Sequence, residues 1–458
     1  MPRLSFPRSL IRLAFLVLWP ALLCPSSRAE NWSQFRGDDG TGMSQECDFP
    51  TQWSADQIKW KVDLPGIGHS SPVIWGDKVF LTSAGDKGTV RYVLCLDART
   101  GETQWTRKVD FEPSRKHDKS SWASSTPAVD GERVYVVFAD SAKQMLTAYD
   151  FKGNVAWNKD IGSFKSQHGQ GVSPIVFEDL VILANDQDGP SSMIACDKRT
   201  GRTVWSVTRN SGPQSTSYAT PFLYRPKEGP PQLICASAFS GVSALDPRTG
   251  RTIWTTKSLP QRTVASPALA GGLVFQCCGS GGQGKLMVAI DPSGQGDVSK
   301  THVRYSRTQI LPYVPTPIAF RDYLFLWSDH GIVCCTDPRT GRDLWKKRVG
   351  GDFSSSPICA SGMLFNSDEN GNVIVLAASG EFKLLGKIPL GDQCHSTAAV
   401  ANGRLYFHTF HRLVCVAAKP ETASRAGGSP RQSSEKDRIS TRQGSTASAK
   451  INHEVRNP

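Results

Sequence analysis

The side chains of this chain best placed to do chemistry are imidazoles and aromatic rings that stand just ahead of a recurring Ser/Thr-Pro step. His69, Trp122, His168, Tyr218, Thr263, Tyr313, Phe353 and His395 occupy this place in turn. Imidazole can shuttle a proton near neutral pH or ligate a metal. A metal site would need His69, His168 and His395 to converge, and each alone reads as a hydrogen-bonded surface group. Carboxylates are scarce in this set, Asp118 and Asp352 being the nearest. Two acidic turns, Asp186-Gln187-Asp188-Gly189 and Asp368-Glu369-Asn370-Gly371-Asn372, lack the late bidentate Glu of a calcium loop and read as hairpin turns. The chain has neither a Gly-rich phosphate loop nor a G-x-S-x-G elbow. Its 12 cysteines contain no C-x-x-C pair. Many sit in apolar strand text, where a thiol packs as a small hydrophobe. We therefore assign no catalytic residue and no metal ligand. His69, Trp122, His168, Tyr218, Tyr313 and His395 remain as a candidate ligand-binding ring.

The elements that must position this ring come from a repeat. ALDPRTGRTIW, ending at Trp254, reads as a strand, a tight turn and a second strand. Gly in the turn is free to take positive φ. LDARTGETQW, YDFKGNVAW, CDKRTGRTVW and TDPRTGRDLW repeat it and end on Trp105, Trp157, Trp205 and Trp345. A lengthened copy from Asp291 ends on Tyr305, and worn copies place Ala377 and Ala417 where the Asp would be. Neighbouring copies lie about 40–50 residues apart, the period of a propeller blade. Seven units open on Ser/Thr-Pro and the eighth on Ser396-Thr397-Ala398; each continues through a turn and reads as four antiparallel strands. Pro is tolerated at the start of an inner strand because no ladder donor is needed there. The prediction is an all-β, eight-bladed propeller over 57–419. The final unit lacks its Trp strand, whereas QIKWKVDL near the start carries Trp60 with no turn before it. The early strand should complete the last blade and remove the open edges. Trp60, Trp105, Trp157, Trp205, Trp254, Tyr305 and Trp345 are expected to dock blade on blade.

The ends are different text. Residues 1–29 read as an export leader: Arg3, Arg8 and Arg12, an apolar run over 13–23, and Ser27-Arg28-Ala29 before the cut. The run is too short for a membrane span. Cys24 is a poor lipidation site because Leu23 is bulky. Residues 30–56 form an irregular cap anchored by Trp32 and Phe35, and 420–458 a disordered basic tail. The chain carries a formal charge of +12. Four arginines belong to the leader and leave +8 without them; seven basic and four acidic residues in the tail leave +5 on the folded part. That is too mild for a nucleic-acid partner. The expectation is an exported monomer, periplasmic or extracellular, with no span after leader removal.

ALDPRTGRTIW and CLDARTGETQW are similar to the repeat of the PQQ-binding-like β-propeller family, and the resemblance covers about 57–419. It implies an eight-bladed ring. The family holds quinoprotein alcohol dehydrogenases, with pyrroloquinoline quinone and calcium in the channel, and non-catalytic propeller lipoproteins of outer-membrane protein assembly. Quinoproteins often place adjacent cysteines by the cofactor. Cys277-Cys278 and Cys334-Cys335 are such pairs, but both lie in strand text, where neighbouring side chains face opposite ways. With few carboxylates and blades too short for the enzymes' insertions, we expect no cofactor and a non-catalytic scaffold that binds a protein or envelope polymer. The alternative is a small quinoprotein oxidoreductase using the quinone and calcium.

Overall fold

The structure, a computed structural model, describes residues 31–46, 48–213 and 216–417. The leader with Cys24 and the tail lie outside the described residues. Eight antiparallel sheets follow one another along the described chain. Blade 1 consists of strands Val73–Trp75, Lys78–Gly85, Val90–Asp97 and Thr103–Asp110. Blades 2 to 7 begin at Ala128–Val129, Ile175–Phe177, Phe222–Tyr224, Ala268–Ala270, Ile318–Phe320 and Ile358–Ala360. Every one of these short inner strands starts just after a Ser/Thr-Pro step. Blade 8 takes Ala399–Ala401, Arg404–His408 and Arg412–Ala417 from the end of the propeller and Ile58–Asp63 from its beginning. The borrowed strand pairs antiparallel with the last one, Trp60 opposite Cys415 and Val62 opposite Leu413. A ring closed in this way leaves no sheet unfinished.

The repeated motif is a docking device. Asp197 shows how its turn is held: the Thr200 hydroxyl and the Thr200 and Arg199 N–H groups all donate to Oδ1, which keeps the carboxyl below its ordinary range. The next residue turns its carbonyl toward the preceding blade. Trp157 Nε1–H donates to Lys198 O at 2.9 Å, Trp105 to Phe151 O at 2.9 Å, Trp205 to Pro247 O at 3.1 Å and Trp60 to Ala98 O at 3.2 Å. Tyr305 and Trp345 reach Pro338 O and Ser379 O in the same way. The turn glycine lies flat on the ring: a Cβ on Gly201 would sit 2.6 Å from Trp157. Burying each ring contributes roughly 2–3 kcal/mol.

Two junctions depart from the rule. Trp254 donates to Gln232 Oε1 in its own blade, and Gln232 Nε2 carries the link on to Pro292 O. The lengthened fifth repeat explains the gap. Its extra residues send a two-residue strand, Gly296–Asp297, across to pair in parallel with the outer strand of blade 4. Val298 is fully buried behind it. At the other junction, blade 7 has Leu384 in the Trp place. Phe49 and Trp53 of the N-terminal segment fill in, packing on Phe365 and Phe407 at ring-centroid distances of 6.5 and 5.7 Å.

The ten described cysteines are all buried. Cys277 and Cys278 belong to Leu273–Ser280, and Cys334 and Cys335 to Ile332–Thr336. Burial pushes the Cys278 and Cys334 thiols up to about 11. They are packing groups without thiolate character at neutral pH.

Candidate functional site

The N-terminal segment closes one end of the central channel. Inner strands have a free edge toward the axis, and residues 31–46 bind those edges. Trp32 exchanges both backbone bonds with Ile74 at 2.9 Å, and Val129 N–H donates to Ser33 O at 2.8 Å. Val176 N–H meets Gln34 Oε1. The Arg36 guanidinium donates to Thr316 O at 3.0 Å and Pro317 O at 3.2 Å, and Cys359 pairs with Gly42 and Ser44. Burial of Arg36 lowers it to about 9. Blades 1, 2, 3, 6 and 7 thus share one plug, and the channel becomes a cup of about 600 Å³ with Phe35 among its lining residues.

The Ser/Thr of each Ser/Thr-Pro step builds a collar around the cup. Its backbone N–H donates to the hydroxyl of its counterpart in the next blade: Ser71 to Thr126, Thr126 to Ser173, Ser173 to Thr220 and Thr220 to Ser266. Ser266 to Thr316, Thr316 to Ser356 and Ser356 to Thr397 complete seven junctions, all at 2.9–3.2 Å. Pro takes the following place because the residue before it is held extended. At the seam between blades 8 and 1, His408 Nδ1 lies 2.7 Å from Ser70 O. The carbonyl can only accept, so Nδ1 carries the proton, and Nε2 is buried without a partner.

Five of the six expected ring residues, His69, His168, Tyr218, Tyr313 and His395, line the cup. Trp122 does not. Its indole lies against Gly88 and donates to Ser114 O at 2.7 Å, because the loop before Thr126 is long enough to turn the ring back into blade 1. Thr263 and Phe353 are also packed away, on Ser217 and Trp327. His69, His395 and Phe410 stack together with centroids 4.7–4.9 Å apart. Across the cup His168 meets His117 edge-on at 5.0 Å. The sequence reading missed His117, Lys119, Arg262, Asp329 and His330, which all line the cup. Asp329 and His330 follow Tyr323–Trp327, and the turn after a second strand opens on the same face as the inner-strand starts. That alternation was the available signal. Asp352 pairs with His330 at 2.8 Å and Asp118 is exposed.

Burial lowers three of the wall imidazoles, His69, His168 and His395, below their ordinary values. Burial, with His395 and His408 nearby, holds His69 well below its ordinary value, and burial beside Arg262 lowers His168 to about 4. Asp329 is the one carboxylate among the lining residues. Burial pushes it up to about 6, and its oxygens accept the N–H groups of Tyr313 at 2.7 Å and Val314 at 3.1 Å. Among the described residues no three His, Cys, Asp or Glu side chains gather into a metal-sized group. Calcium takes six to eight oxygens, carboxylates prominent among them. A single carboxylate already engaged by backbone N–H groups is fewer than that set.

A plugged, collared ring of eight docked blades defines a PQQ-like repeat propeller. A family model described as outer membrane protein assembly factor BamB matches residues 90–312 and 288–449. The chain belongs to that family. A relative in Yersinia pestis with the same description is 24% identical over 383 residues, 80% of this chain and 79% of its own length. Among solved structures, BamB from Moraxella catarrhalis superposes with a TM-score of 0.56 at 16% identity, over 78% of this chain and 96% of that one. The quinohemoprotein alcohol dehydrogenase of Comamonas testosteroni superposes at 0.62 with 13% identity, over 85% and 80%. At these identities both show the propeller fold alone.

Proposed function

We propose that this chain is an exported, non-catalytic scaffold that binds a protein or an envelope polymer through its channel mouth and loops. The observation that carries the reading is the chemistry of the cup: a pocket ringed by imidazoles and hydroxyls, with one carboxylate tied to backbone N–H groups. General acid–base or metal chemistry needs a free group of matched pKa or a set of converging ligands. Recognition needs only shape and a few placed polar groups. The family description, outer membrane protein assembly factor, favours a protein partner in the envelope. On the same reading the cup takes neither pyrroloquinoline quinone nor calcium.

The test is a pull-down from envelope extract with the exported chain, compared with His69→Ala/His395→Ala and Tyr218→Ala/Tyr313→Ala variants that keep the wild-type circular dichroism. Capture of a discrete partner, weakened by the mouth variants, is the expected result. Recovery of bulk proteins alone, equal for all variants, overturns the proposal.

A further inference from the structure

The cup holds one uncompensated cation. Arg262 lines it, and its Nε is buried without a hydrogen-bond partner. One terminal nitrogen reaches Gln167 Oε1 at 3.4 Å and the guanidinium also hydrogen-bonds the Tyr313 hydroxyl, but no carboxylate among the described residues lies within ion-pair distance of the group. Lys119, the other basic chain on the wall, is closed by Glu369 at 2.7 Å. Asp329 spends its oxygens on backbone N–H groups. Burial lowers His69, His168 and His395 below their ordinary values, so these three imidazoles add no charge at neutral pH. A partly buried guanidinium with no counter-charge is costly, and an anion from solution relieves that cost. His69 Nε2, also on the wall, is another buried polar atom with no partner.

Charge and shape together select the anion. A phosphate monoester would bring roughly −1.5 to −2 against one fork-shaped cation, whereas a carboxylate brings a single charge in matching bidentate geometry. Among the serines, threonines and glycines of the wall stand the apolar or aromatic side chains Phe35, Tyr218, Tyr313, Val264 and Val314. The collar hydroxyls already accept a backbone N–H and can still donate their own proton. The plug makes the cup blind, so the ligand enters by one end and stops. We propose that the cup is a binding site for a small aromatic monocarboxylate, its carboxylate on Arg262 and its ring against Tyr218, Tyr313 and Phe35. This rests on the reading of the cup as a recognition site and names the ligand class it takes.

Titration calorimetry of the full exported chain with phenylacetate, methyl phenylacetate and inorganic phosphate tests it. Phenylacetate should bind, the uncharged ester about tenfold or more weakly, and Arg262→Gln should weaken phenylacetate by a similar factor. Arg262→Lys, which keeps the charge without the fork, should fall between, and serves if the Gln variant does not fold. Arg251→Gln, on an exposed turn of the repeat motif, should bind as wild type. Absence of phenylacetate binding, equal affinity for the ester, indifference to Arg262, or phosphate binding as tightly as phenylacetate each overturns the proposal. A chain that captures its envelope partner yet ignores phenylacetate loses the ligand and keeps the scaffold reading. One that binds phenylacetate and captures nothing does the reverse.

Discussion

Replacing Gly201 by Ala isolates the contact on which blade docking depends. Gly201 has φ +72, and a Cβ there would stand 2.6 Å from Trp157 Cε3 and 2.7 Å from Cδ2. Two costs add. An L-residue in the left-handed region loses about 1–2 kcal/mol, and overpacking against a buried indole adds about 1–3 kcal/mol. Trp157 cannot retreat without breaking its 2.9 Å bond to Lys198 O. The expected loss is therefore about 2–5 kcal/mol in urea unfolding. Gly403→Ala is the internal control: its φ is +69 but nothing lies within 4 Å of the added Cβ, so it should lose only the conformational part, about 1–2 kcal/mol. In a Trp157→Ala background the Gly201 substitution should fall to that same level, a coupling of about 1–3 kcal/mol. Equal losses for Gly201→Ala and Gly403→Ala, or strict additivity with Trp157→Ala, would refute the claim that the glycine exists to seat the ring.

Deleting residues 57–64 removes the borrowed strand and leaves Arg412–Ala417 as an open edge; we expect faster proteolysis and concentration-dependent aggregation, and an unchanged melting temperature would contradict ring closure. His408, fully buried, is lowered to about 4 by burial, with only partial compensation from the Ser70 carbonyl and Asp392. The unfolded chain binds a proton below about 6.5 that the folded chain refuses down to about 4. Stability is unaffected at neutral pH and falls as pH drops through that window, by about 3 kcal/mol at its acid end. His408→Gln should reduce the slope of stability between pH 7 and 4 in unfolding curves, His69 and His168 carrying the remainder; an unchanged slope would assign the acid sensitivity elsewhere. Pyrroloquinoline quinone with calcium should neither co-elute with the protein nor raise its melting point, whereas a true ligand at a hundred times its Kd would add about 2.7 kcal/mol.

The blade count, the closing strand and the docking aromatics were legible in the chain because they are local and repeated. Asp-x-x-Thr-Gly and its Trp lie within a dozen residues, so propensity and turn chemistry act on neighbours, and four full copies with four altered ones mark the same period. Even the missing Trp strand at the end of the propeller and the lone Trp60 strand at its start could be matched by pattern. The site was legible only in part. Five ring residues follow from standing two to five residues ahead of the step that opens an inner strand, but Trp122, four residues ahead of Thr126, turns away, since a loop of arbitrary length separates it from its strand. The hydroxyl collar was hidden although its residues were in plain view: the pattern explains the Pro, while the role of the hydroxyl depends on a neighbour about 40–55 residues away. Arg262 and the plug around Arg36 carry no repeated signal, and Asp329 is marked only by its place in the turn after a second strand. What the sequence determined is the shape of each blade, set by contacts between near neighbours. What only the tertiary structure decided is which groups share the channel, because bringing eight loops and an N-terminal segment to one axis sets charge balance and burial, and neither is a property of any short stretch of chain.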